Sequence, residues 1–283
     1  MKRFFSFIVI LLVITTLTFA GYRIYRAKNP TPGTDLPILF FHHLAEEVND
    51  NNAIVTPEYF ETVLQTLKEN NFNTITPQQL ADYVYKGEEL PENPVMIQFD
   101  DGYESNVLIA APLLRKYDMC ATVFAITQWV TYSSDEDFRH PESPLFTWEQ
   151  AREVLDVMSI QSHSNNMHYN DDKNPRKGVL QKEDESDSDY QKAFVKDYKS
   201  SKKKIKKKLS TKVFAYAYPF GMYTKETERM LKEQGVLMTF VPMKGEGNVS
   251  RIVPDEPESL YLIQRKSISV HVTMKEILKY LSR

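Results

Sequence analysis

Two carboxylates stand side by side at Asp100 and Asp101, directly after the apolar run 94–99 and before Gly102. Adjacent carboxylates where a strand ends can divide two tasks, because one can bind a divalent metal while the other accepts a proton. The stretch QFDDGY therefore indicates a catalytic site at the end of that strand.

A pair of histidines could complete such a site. His163 and His168 lie in the stretch HSNNMH, a loop able to turn both imidazoles toward one point. With a carboxylate from Asp100 or Asp101 they form a two-histidine, one-carboxylate ligand set with open coordination positions. A divalent metal there lowers the pKa of a bound water and polarises a carbonyl oxygen, which leaves the other carboxylate free to take a proton. Paired loop histidines alone are a weak signal, since many are only hydrogen-bonded surface residues.

These residues need a scaffold that brings distant segments together, and the rest of the sequence predicts one. Apolar, strand-like runs alternate with helical segments that begin with threonine caps at Thr56, Thr76, Thr147 and Thr273. This alternation is typical of an α/β fold, in which helices cover a parallel sheet. The predicted strands are the runs 38–41, 94–99, 121–126, 158–161, 213–218, 236–241 and 260–264.

Candidate site residues recur just past the ends of these runs. One such residue is easily explained as a helix cap or a satisfied turn, but four such groups are not. The C-terminal ends of parallel strands meet on one face of a barrel, where the active sites of barrels are built. The groups are His42 with His43, Asp100 with Asp101, His163, and the stretch 219–221.

Composition excludes several other classes of protein. The 283 residues suffice for one large α/β domain, and the formal net charge of −3 gives no global reason to expect a nucleic acid partner. The single cysteine, Cys120, cannot form an intramolecular disulfide. Cys120 begins an apolar run, so we expect a buried structural thiol rather than a nucleophile. The oligomeric state is left open.

The N-terminal segment has the charge pattern of an export signal or a signal anchor. Two basic residues precede the apolar stretch 4–20, and three follow it. We expect residues 1–26 to be retained as a membrane anchor, with cleavage after Ala20 as the alternative, and residues 27–35 to form a linker. The domain at 36–283 would then work outside the cytoplasm, anchored to the membrane or otherwise secreted.

Residues 170–210 interrupt the regular alternation. The acidic, serine-rich patch 184–189 predicts an exposed loop, and a helix that ends in the lysine run 202–208 follows it. The lysines could bind an anionic polymer. We favour the interpretation that they are the solvated side of a packed helix, because the apolar residues of the segment fall on one helical stripe: Phe194, Tyr198, Ile205 and Leu209.

Five stretches of the sequence resemble the motifs of a known family, the polysaccharide deacetylases of carbohydrate esterase family 4. The resemblance covers residues 36–282 and is closest to the branch that contains the poly-β-1,6-N-acetylglucosamine de-N-acetylases of biofilm matrix. It implies a distorted (β/α) barrel, a catalytic divalent metal and hydrolysis of N-acetyl groups from an amino-sugar polymer. The stretches are FDDGY at 99–103, SHS at 162–164 with His168 beyond it, FHH at 41–43, LFTW at 145–148 and AYPFG at 217–221.

The resemblance also implies roles for individual residues. Asp100 would be the general base, and His42 the general acid, since Phe41-His42 matches the branch's tyrosine-histidine pair; His43 would be a supporting contact. The metal ligands would be Asp101, His163 and His168. Zinc is the expected metal, and cobalt, nickel or iron fit the same ligands.

The resemblance suggests a backbone N–H near Phe220 as the group that stabilises the oxyanion of the reaction. Aromatic side chains near the motifs are candidates for stacking on sugar rings, although core packing would explain each of them equally well. These candidates are Tyr103, Trp148, Tyr218 and Phe220.

The sequence departs from the family pattern at two places. The third motif of the family has an arginine that orients the catalytic aspartate, and Ala217 stands at that position here. Arg265, near the last predicted strand, is our candidate for the missing cation. The late histidine of the family has no clear match, because His271 stands beside a helix cap and is expected at the surface. This leaves His42 as the predicted acid.

The predicted function is metal-dependent N-deacetylation of β-1,6-linked N-acetylglucosamine chains of a biofilm polysaccharide at the outer surface of the membrane. Deacetylation of peptidoglycan or another glycan, or O-acetyl ester hydrolysis, would use the same site. A non-catalytic sugar-binding protein of the cell surface, which keeps the fold but not the chemistry, is a third interpretation.

Overall fold

The computed structural model describes residues 33–47, 53–133, 144–171, 174–245 and 247–282. Contacts within the chain define two units, residues 1–34 and residues 35–283. The first unit contains the predicted anchor and most of the predicted linker, and it lies almost entirely outside the described residues. In the described part of the chain, no helix is both long and apolar enough to cross a membrane.

The strands of the described residues are numbered in chain order. The short strands outside the barrel, of two or three residues each, were not predicted, because so short a segment carries no periodic pattern. The strands are β1 (Thr34–Leu36), β2 (Ile38–Phe41), β3 (His43–Leu44), β4 (Ile54–Val55), β5 (Asn73–Thr74), β6 (Pro94–Asp101), β7 (Ala121–Ala125), β8 (Met158–Ser162), β9 (Ala215–Ala217), β10 (Met238–Pro242), β11 (Ser250–Ile252) and β12 (Ile263–Ser267).

Seven of these strands form a closed parallel barrel, which confirms the predicted fold class. Around the barrel the order is β2, β6, β7, β8, β9, β10 and β12, and β12 pairs again with β2. Each of the seven predicted runs contributes one barrel strand. Strand β5 extends the row beside the start of β6, β1 pairs with β11, and β3 pairs with β4.

Helices cover the barrel, and their threonine caps form as the sequence predicts. The hydroxyl of Thr56 accepts the N–H of Tyr59, and Thr76, Thr147 and Thr273 each head a reciprocal capping box. A π-helical turn, Asn106–Ala110, leads into the third helix. The α-helices of the described residues are α1 (Pro57–Glu69), α2 (Pro77–Lys86), α3 (Ala111–Tyr117), α4 (Thr127–Ser133), α5 (Trp148–Arg152), α6 (Asp187–Leu209), α7 (Lys225–Glu233) and α8 (Met274–Leu281).

Alternation of side chains along the barrel strands decides what faces the interior. In β6, Val95, Ile97 and Phe99 belong to the core under the helices, whereas Met96 belongs to a second core shared with alternate residues of the other barrel strands. Because side chains alternate along a strand, Asp100 continues the inward row of Met96. The first aspartate of the pair therefore lies inside the barrel, at its C-terminal end.

The last predicted strand was placed about three residues too early. The run 260–264 was predicted as a strand, but a 3₁₀ turn occupies Pro257–Leu260 and β12 begins at Ile263. Leu262 has a left-handed backbone (φ 57°), which separates the turn from the strand. The sequence does not reveal this break, because a left-handed position is usually marked by glycine and this one is occupied by leucine.

The lysine-rich segment forms helix α6, and its predicted apolar stripe is buried. The acidic patch 184–189 is only partly a loop, which corrects the prediction. Ser186 caps the helix by accepting the N–H of Asp189, and Asp187 already lies in the first turn. Carboxylates are favourable at a helix N-terminus, so acidity there indicates a helix start as well as a loop.

Cys120 is half-buried beside the start of β7. Burial raises the pKa of its thiol, and its backbone N–H donates to the hydroxyl of Thr74 at 2.9 Å. A thiol with a raised pKa is a poor nucleophile at neutral pH. These surroundings fit the structural role that the sequence predicts.

Candidate metal centre

The three predicted ligands converge at the C-terminal end of the barrel. The Oδ1 of Asp101 lies 3.2 Å from the Nε2 of His168 and 3.7 Å from the Nε2 of His163. One ligand atom from each of these residues lies within 4.8 Å of the other two. Two imidazole nitrogens and one carboxylate oxygen facing a common point are a donor set that binds zinc and related divalent metals.

Asp101 reaches this point because the backbone leaves its strand in an unusual conformation. Asp101 has a φ of 69° and Gly102 a φ of 92°. Regular alternation would direct Asp101 away from Asp100, whereas the left-handed turn carries its carboxylate to the rim. A non-glycine residue in this region is strained, and such strain gathers at functional sites.

A backbone carbonyl sets the tautomer of His163. Its Nδ1 lies 2.8 Å from the carbonyl oxygen of Ala217. A carbonyl can only accept, so Nδ1 carries the proton and the Nε2 lone pair faces Asp101. Burial lowers the pKa of His163 to about 4, which keeps the ring neutral at pH 7. A neutral imidazole with a fixed tautomer is the form that binds a metal.

One buried oxygen tests whether a metal fits this site. The Oδ1 of Asp101 is buried and accepts no hydrogen bond from the residues that the structure describes. Burial by itself raises the pKa of Asp101, but His168 and the neighbouring histidines lower it far below the ordinary range. An ionised oxygen that points at two imidazole nitrogens without a donor is what a cation would satisfy. The residues present therefore fit a divalent metal.

Aromatic rings enclose the second histidine. The ring of His168 lies 5.4 Å from that of Trp129 and 4.4 Å from that of Phe220. Trp129 belongs to α4 and was not singled out from the sequence. Its place a few residues past the end of β7 is a signal that could have found it, because the residues after barrel strands line the same face.

Asp100 is bound by a buried arginine from the last barrel strand. The Nη1 and Nη2 of Arg265 each donate to one Asp100 oxygen at 2.8 Å, and Nη1 also lies 3.2 Å from the Oε1 of Gln98. Arg265 is 0% exposed, and its guanidinium packs over the ring of Phe40 at 4.3 Å. The cation proposed from the sequence to replace the third-motif arginine thus lies against Asp100.

The ion pair controls the charge of Asp100. Burial raises the pKa of Asp100, but the charge and the hydrogen bonds of Arg265 are the main causes that act against it, and the net pKa lies below its ordinary value. Asp100 is consequently a carboxylate at neutral pH. Its Oδ2 lies 4.0 Å from the Nε2 of His163, which places it at the edge of the metal centre.

The two N-terminal histidines have different surroundings. Electrostatic interaction with His42 is among the causes that lower the pKa of both Asp100 and Asp101 against the effect of burial, so His42 lies near the two carboxylates. The Nδ1 of His43 lies 2.9 Å from the hydroxyl of Ser105, and burial lowers the pKa of His43. The structure brings His42 toward the site and directs His43 to the adjacent turn.

The four predicted stacking residues separate into two pairs. Trp148 and Tyr218 are each 1% exposed, which corrects their proposed role, because a ring enclosed in the core offers no face to a sugar. Tyr218 instead donates its hydroxyl to Glu228 at 2.8 Å. Phe220 is 43% exposed, and Tyr103 lies partly buried against Asp101. The latter two border the metal centre.

Comparison with known proteins places this geometry in context. The model of a family described as polysaccharide deacetylase matches residues 87–239, a little more than half of the chain. The poly-β-1,6-N-acetyl-D-glucosamine N-deacetylase of Staphylococcus aureus strain MRSA252 is 26% identical over 236 residues, which cover 80% of this chain and 76% of the relative. The protein of the same name from Escherichia coli strain K12 is 22% identical over 245 residues, or 80% of this chain but 36% of the relative.

A solved structure agrees with these sequence matches at the level of the fold. The structure of IcaB from Ammonifex degensii superimposes with a TM-score of 0.72 at 21% sequence identity. The alignment covers 89% of this chain and 98% of the other. At this identity the likeness shows the fold alone.

Proposed function

The chain belongs to the polysaccharide deacetylase family, and from this membership we propose that it removes N-acetyl groups from a β-1,6-linked N-acetylglucosamine polymer by metal-dependent hydrolysis. It is a deacetylase enzyme. The metal, the polymer and the roles of individual residues are our proposals; the geometry of the site supports the metal and the residue roles, and the names of two relatives support the polymer.

One observation carries the proposal. Asp101, His163 and His168 bring three ligand atoms to one point, while the adjacent Asp100 is tied to Arg265 instead. A sugar-binding protein has no need of a buried carboxylate oxygen that accepts no hydrogen bond from the described residues and lies beside two imidazoles. The separation of the two aspartates into a ligand and a base is what a hydrolytic site requires.

The residues around the centre suggest how the reaction proceeds. A divalent metal held by Asp101, His163 and His168 would act as a Lewis acid and lower the pKa of a bound water. Asp100, ionised through its pair with Arg265, accepts a proton from the attacking water. The amide carbon becomes tetrahedral, and a backbone N–H near Phe220 is our proposed donor to its oxyanion.

His42 protonates the departing amine in this scheme. The C–N bond of the amide breaks productively only if the nitrogen gains a proton, so an acid must face the site across the substrate. His42 lies near enough to Asp100 and Asp101 to lower the pKa of both, whereas the ring of His43 is bound by Ser105. His43 instead supports the turn after β6, since its ring packs on Tyr103 at 4.8 Å.

The aromatic border of the centre suits an amino-sugar. Phe220 and Trp129 flank His168, and Tyr103 lies on the Asp101 side. Aromatic faces of this kind pack against the apolar face of a sugar ring. We choose the β-1,6-linked polymer because the Staphylococcus and Escherichia relatives are named for it.

The proposed location follows from the sequence of the N-terminal segment. Residues 1–26 lie outside the described residues, so the signal anchor remains a proposal. An anchor there would hold the catalytic domain at the outer face of the membrane, beside an extracellular polymer.

An acetate-release assay tests the proposed function. The protein is incubated with β-1,6-linked N-acetylglucosamine oligomers and, in parallel, with chitin oligomers, peptidoglycan fragments and an O-acetylated glycan. We expect release from the β-1,6 oligomers that a chelator abolishes and zinc restores, with Asp101→Ala as the inactive control. Faster turnover of peptidoglycan would show that another polymer is the substrate. Activity that survives complete metal removal would reject the scheme.

A further inference from the structure

A buried carboxylate from outside the site holds the loop between the two histidine ligands. Asp197, in the middle of α6, is 9% exposed. Its Oδ2 accepts the backbone N–H of Asn165 at 2.7 Å, and its Oδ1 accepts that of Asn166 at 2.8 Å. One carboxylate therefore binds two successive amides that lie between His163 and His168.

The start of α4 binds the opposite side of the same loop. The N–H of Thr127 donates to the carbonyl of Ser164 at 3.2 Å, and the N–H of Gln128 donates to that of Asn165 at 2.9 Å. The Thr127 hydroxyl also donates to the side-chain oxygen of Asn165 at 3.1 Å. The loop is thus clamped between two helices, with its carbonyls toward α4 and its amides toward α6.

The clamped conformation is strained at the residue that follows the first ligand. Ser164 has a φ of 81°, in the left-handed region that favours glycine. A serine remains there only when its surroundings determine the backbone. The bonds to Asp197 lie directly after Ser164, so they are placed to hold the turn that separates His163 from His168.

The position of Asp197 on its own helix supports a role beyond helix stability. The buried stripe of α6 consists largely of apolar side chains, including Phe194, Tyr198 and Ile205. A carboxylate on such a stripe is costly unless it is hydrogen-bonded, and its bonds go to the metal loop. An apolar residue would serve the helix packing alone at lower cost.

We propose that Asp197 is a positioning residue for the metal centre: it fixes the loop 163–168 in the conformation that turns His168 toward Asp101 and His163. The inference rests on the proposed metal-dependent function. Through Asp197, the lysine-rich helix α6 also contributes to the site, because this residue binds the loop 163–168.

Metal affinity of the full-length protein tests this inference without an activity assay. Dissociation constants for Zn²⁺ and Co²⁺ are measured by competition with a chromophoric chelator. We expect Asp197→Asn to raise both dissociation constants by ~10–100-fold and to change the visible absorption of the bound Co²⁺. Asp189→Asn, a matched change at an exposed position of the same helix, should leave the dissociation constants and the spectrum unaltered.

A structural role alone makes a different prediction. If Asp197 only stabilises the fold, Asp197→Asn should lower the melting temperature equally with and without metal, and the dissociation constants should stay at the wild-type values. That result overturns the inference while the proposed function stands. A wild-type protein that neither binds metal nor releases acetate would reject the proposed function, and this inference with it.

Two further measurements cover the case in which Asp197→Asn does not fold. Asp197→Glu keeps the charge and moves the carboxylate by one methylene, and we expect it to lose part of the metal affinity; wild-type affinity in this variant overturns the inference. In the wild-type protein without metal, hydrogen exchange at the amides of Asn165 and Asn166 should be slow. Rapid exchange there would show that Asp197 does not hold the loop.

Discussion

At the residue scale, the neighbouring aspartates of β6 have different partners and hence different tasks. Asp100 is bound at both oxygens by Arg265, whereas the Oδ1 of Asp101 lies toward the histidines and accepts no hydrogen bond from the described part of the chain. Asp101→Asn should therefore lose bound metal. Asp100→Asn should keep the metal and lose about 10²–10⁴-fold in rate, the usual contribution of a general base. Metal analysis and acetate release distinguish the variants, and equal metal loss in both would contradict the assignment.

The two adjacent histidines make a second matched pair. His42 lies near the two carboxylates, and His43 binds Ser105. We expect His42→Ala to lower the catalytic rate by roughly 10²–10⁴-fold with unchanged metal content, because the departing amine loses its acid. His43→Ala should cost much less. If the two variants lose the same activity, or if His42→Ala loses its metal, His42 is not the acid.

Arg265 makes stability depend on pH through Asp100. The folded pKa of Asp100 is lowered, so the pair stabilises the protein above the unfolded carboxyl pKa of about 3.9 and loses that contribution as pH falls through the folded value. Arg265→Met leaves a buried carboxylate without its cation and should cost about 3–5 kcal/mol of unfolding free energy at pH 7.

Urea unfolding in the presence of a chelator measures this loss without interference from a metal. The destabilisation by Arg265→Met should shrink toward pH 3, where Asp100 can take a proton and becomes neutral. The double variant Arg265→Met with Asp100→Asn should regain much of the stability at pH 7, because it carries no buried charge at this pair. A loss that is the same at both pH values would contradict the electrostatic explanation.

At the element scale, the turn that ends β6 depends on a glycine. Gly102 has a φ of +92°, and a Cβ there would lie 3.1 Å from the ring of Phe146. Gly87, which ends α2, has a φ of +70° with nothing within 4 Å of its Cβ position. Both changes to alanine carry the left-handed backbone cost of roughly 1–2 kcal/mol.

Only Gly102→Ala should lower the unfolding free energy by more than that backbone term, since its Cβ must also displace Phe146. Only this variant should weaken metal binding, because Asp101 directly precedes Gly102 in the turn. Urea unfolding and a metal titration of both alanine variants check the expectation. Equal destabilisation of the two, with intact metal binding in Gly102→Ala, would show that the turn tolerates a side chain.

Patterns local in sequence predicted the elements well. The hydrophobic period, the length of the apolar runs and the threonine caps predicted the seven barrel strands and the helix starts, because each of these patterns depends on residues within a few positions of one another. The position of Asp100, Asp101 and His163 after those strands then placed them on one face. Arg265 was found differently, as the candidate for the arginine missing from the family's third motif, and the strand that carries it was set three residues too early.

Contacts between distant segments could not be read in this way. The burial of Trp148 and Tyr218 depends on which helix covers them, so an aromatic beside a motif looked available for sugar. The bonds from Asp197 to Asn165 and Asn166 join a helix to a loop about thirty positions away, and neither end carries a signal of the other. Such pairings appear only once the elements are packed.

At the scale of the whole molecule, the site lies entirely within one unit of the chain. The proposed ligands, base and acid all belong to residues 35–283, and β1 begins at Thr34. A fragment comprising residues 33–283 should therefore fold and release acetate from soluble oligomers at the rate of the full chain. The full chain should sediment with membranes, and the fragment should not. A fragment that is unfolded or inactive would show that the N-terminal segment contributes to the catalytic domain.

The bond between Asp100 and Arg265 joins residues 165 positions apart, and the hydroxyl of Tyr280 accepts the N–H of Ile38 across 242 positions. During synthesis, the ribosome adds Asp100 long before it adds Arg265, the arginine that binds it. Until β12 emerges, β2 and β10 each lack their shared neighbour, and Asp100 lacks its partner Arg265. We therefore expect a nascent or prematurely terminated chain to be inactive, and the site to be completed only when the last tenth of the polypeptide docks.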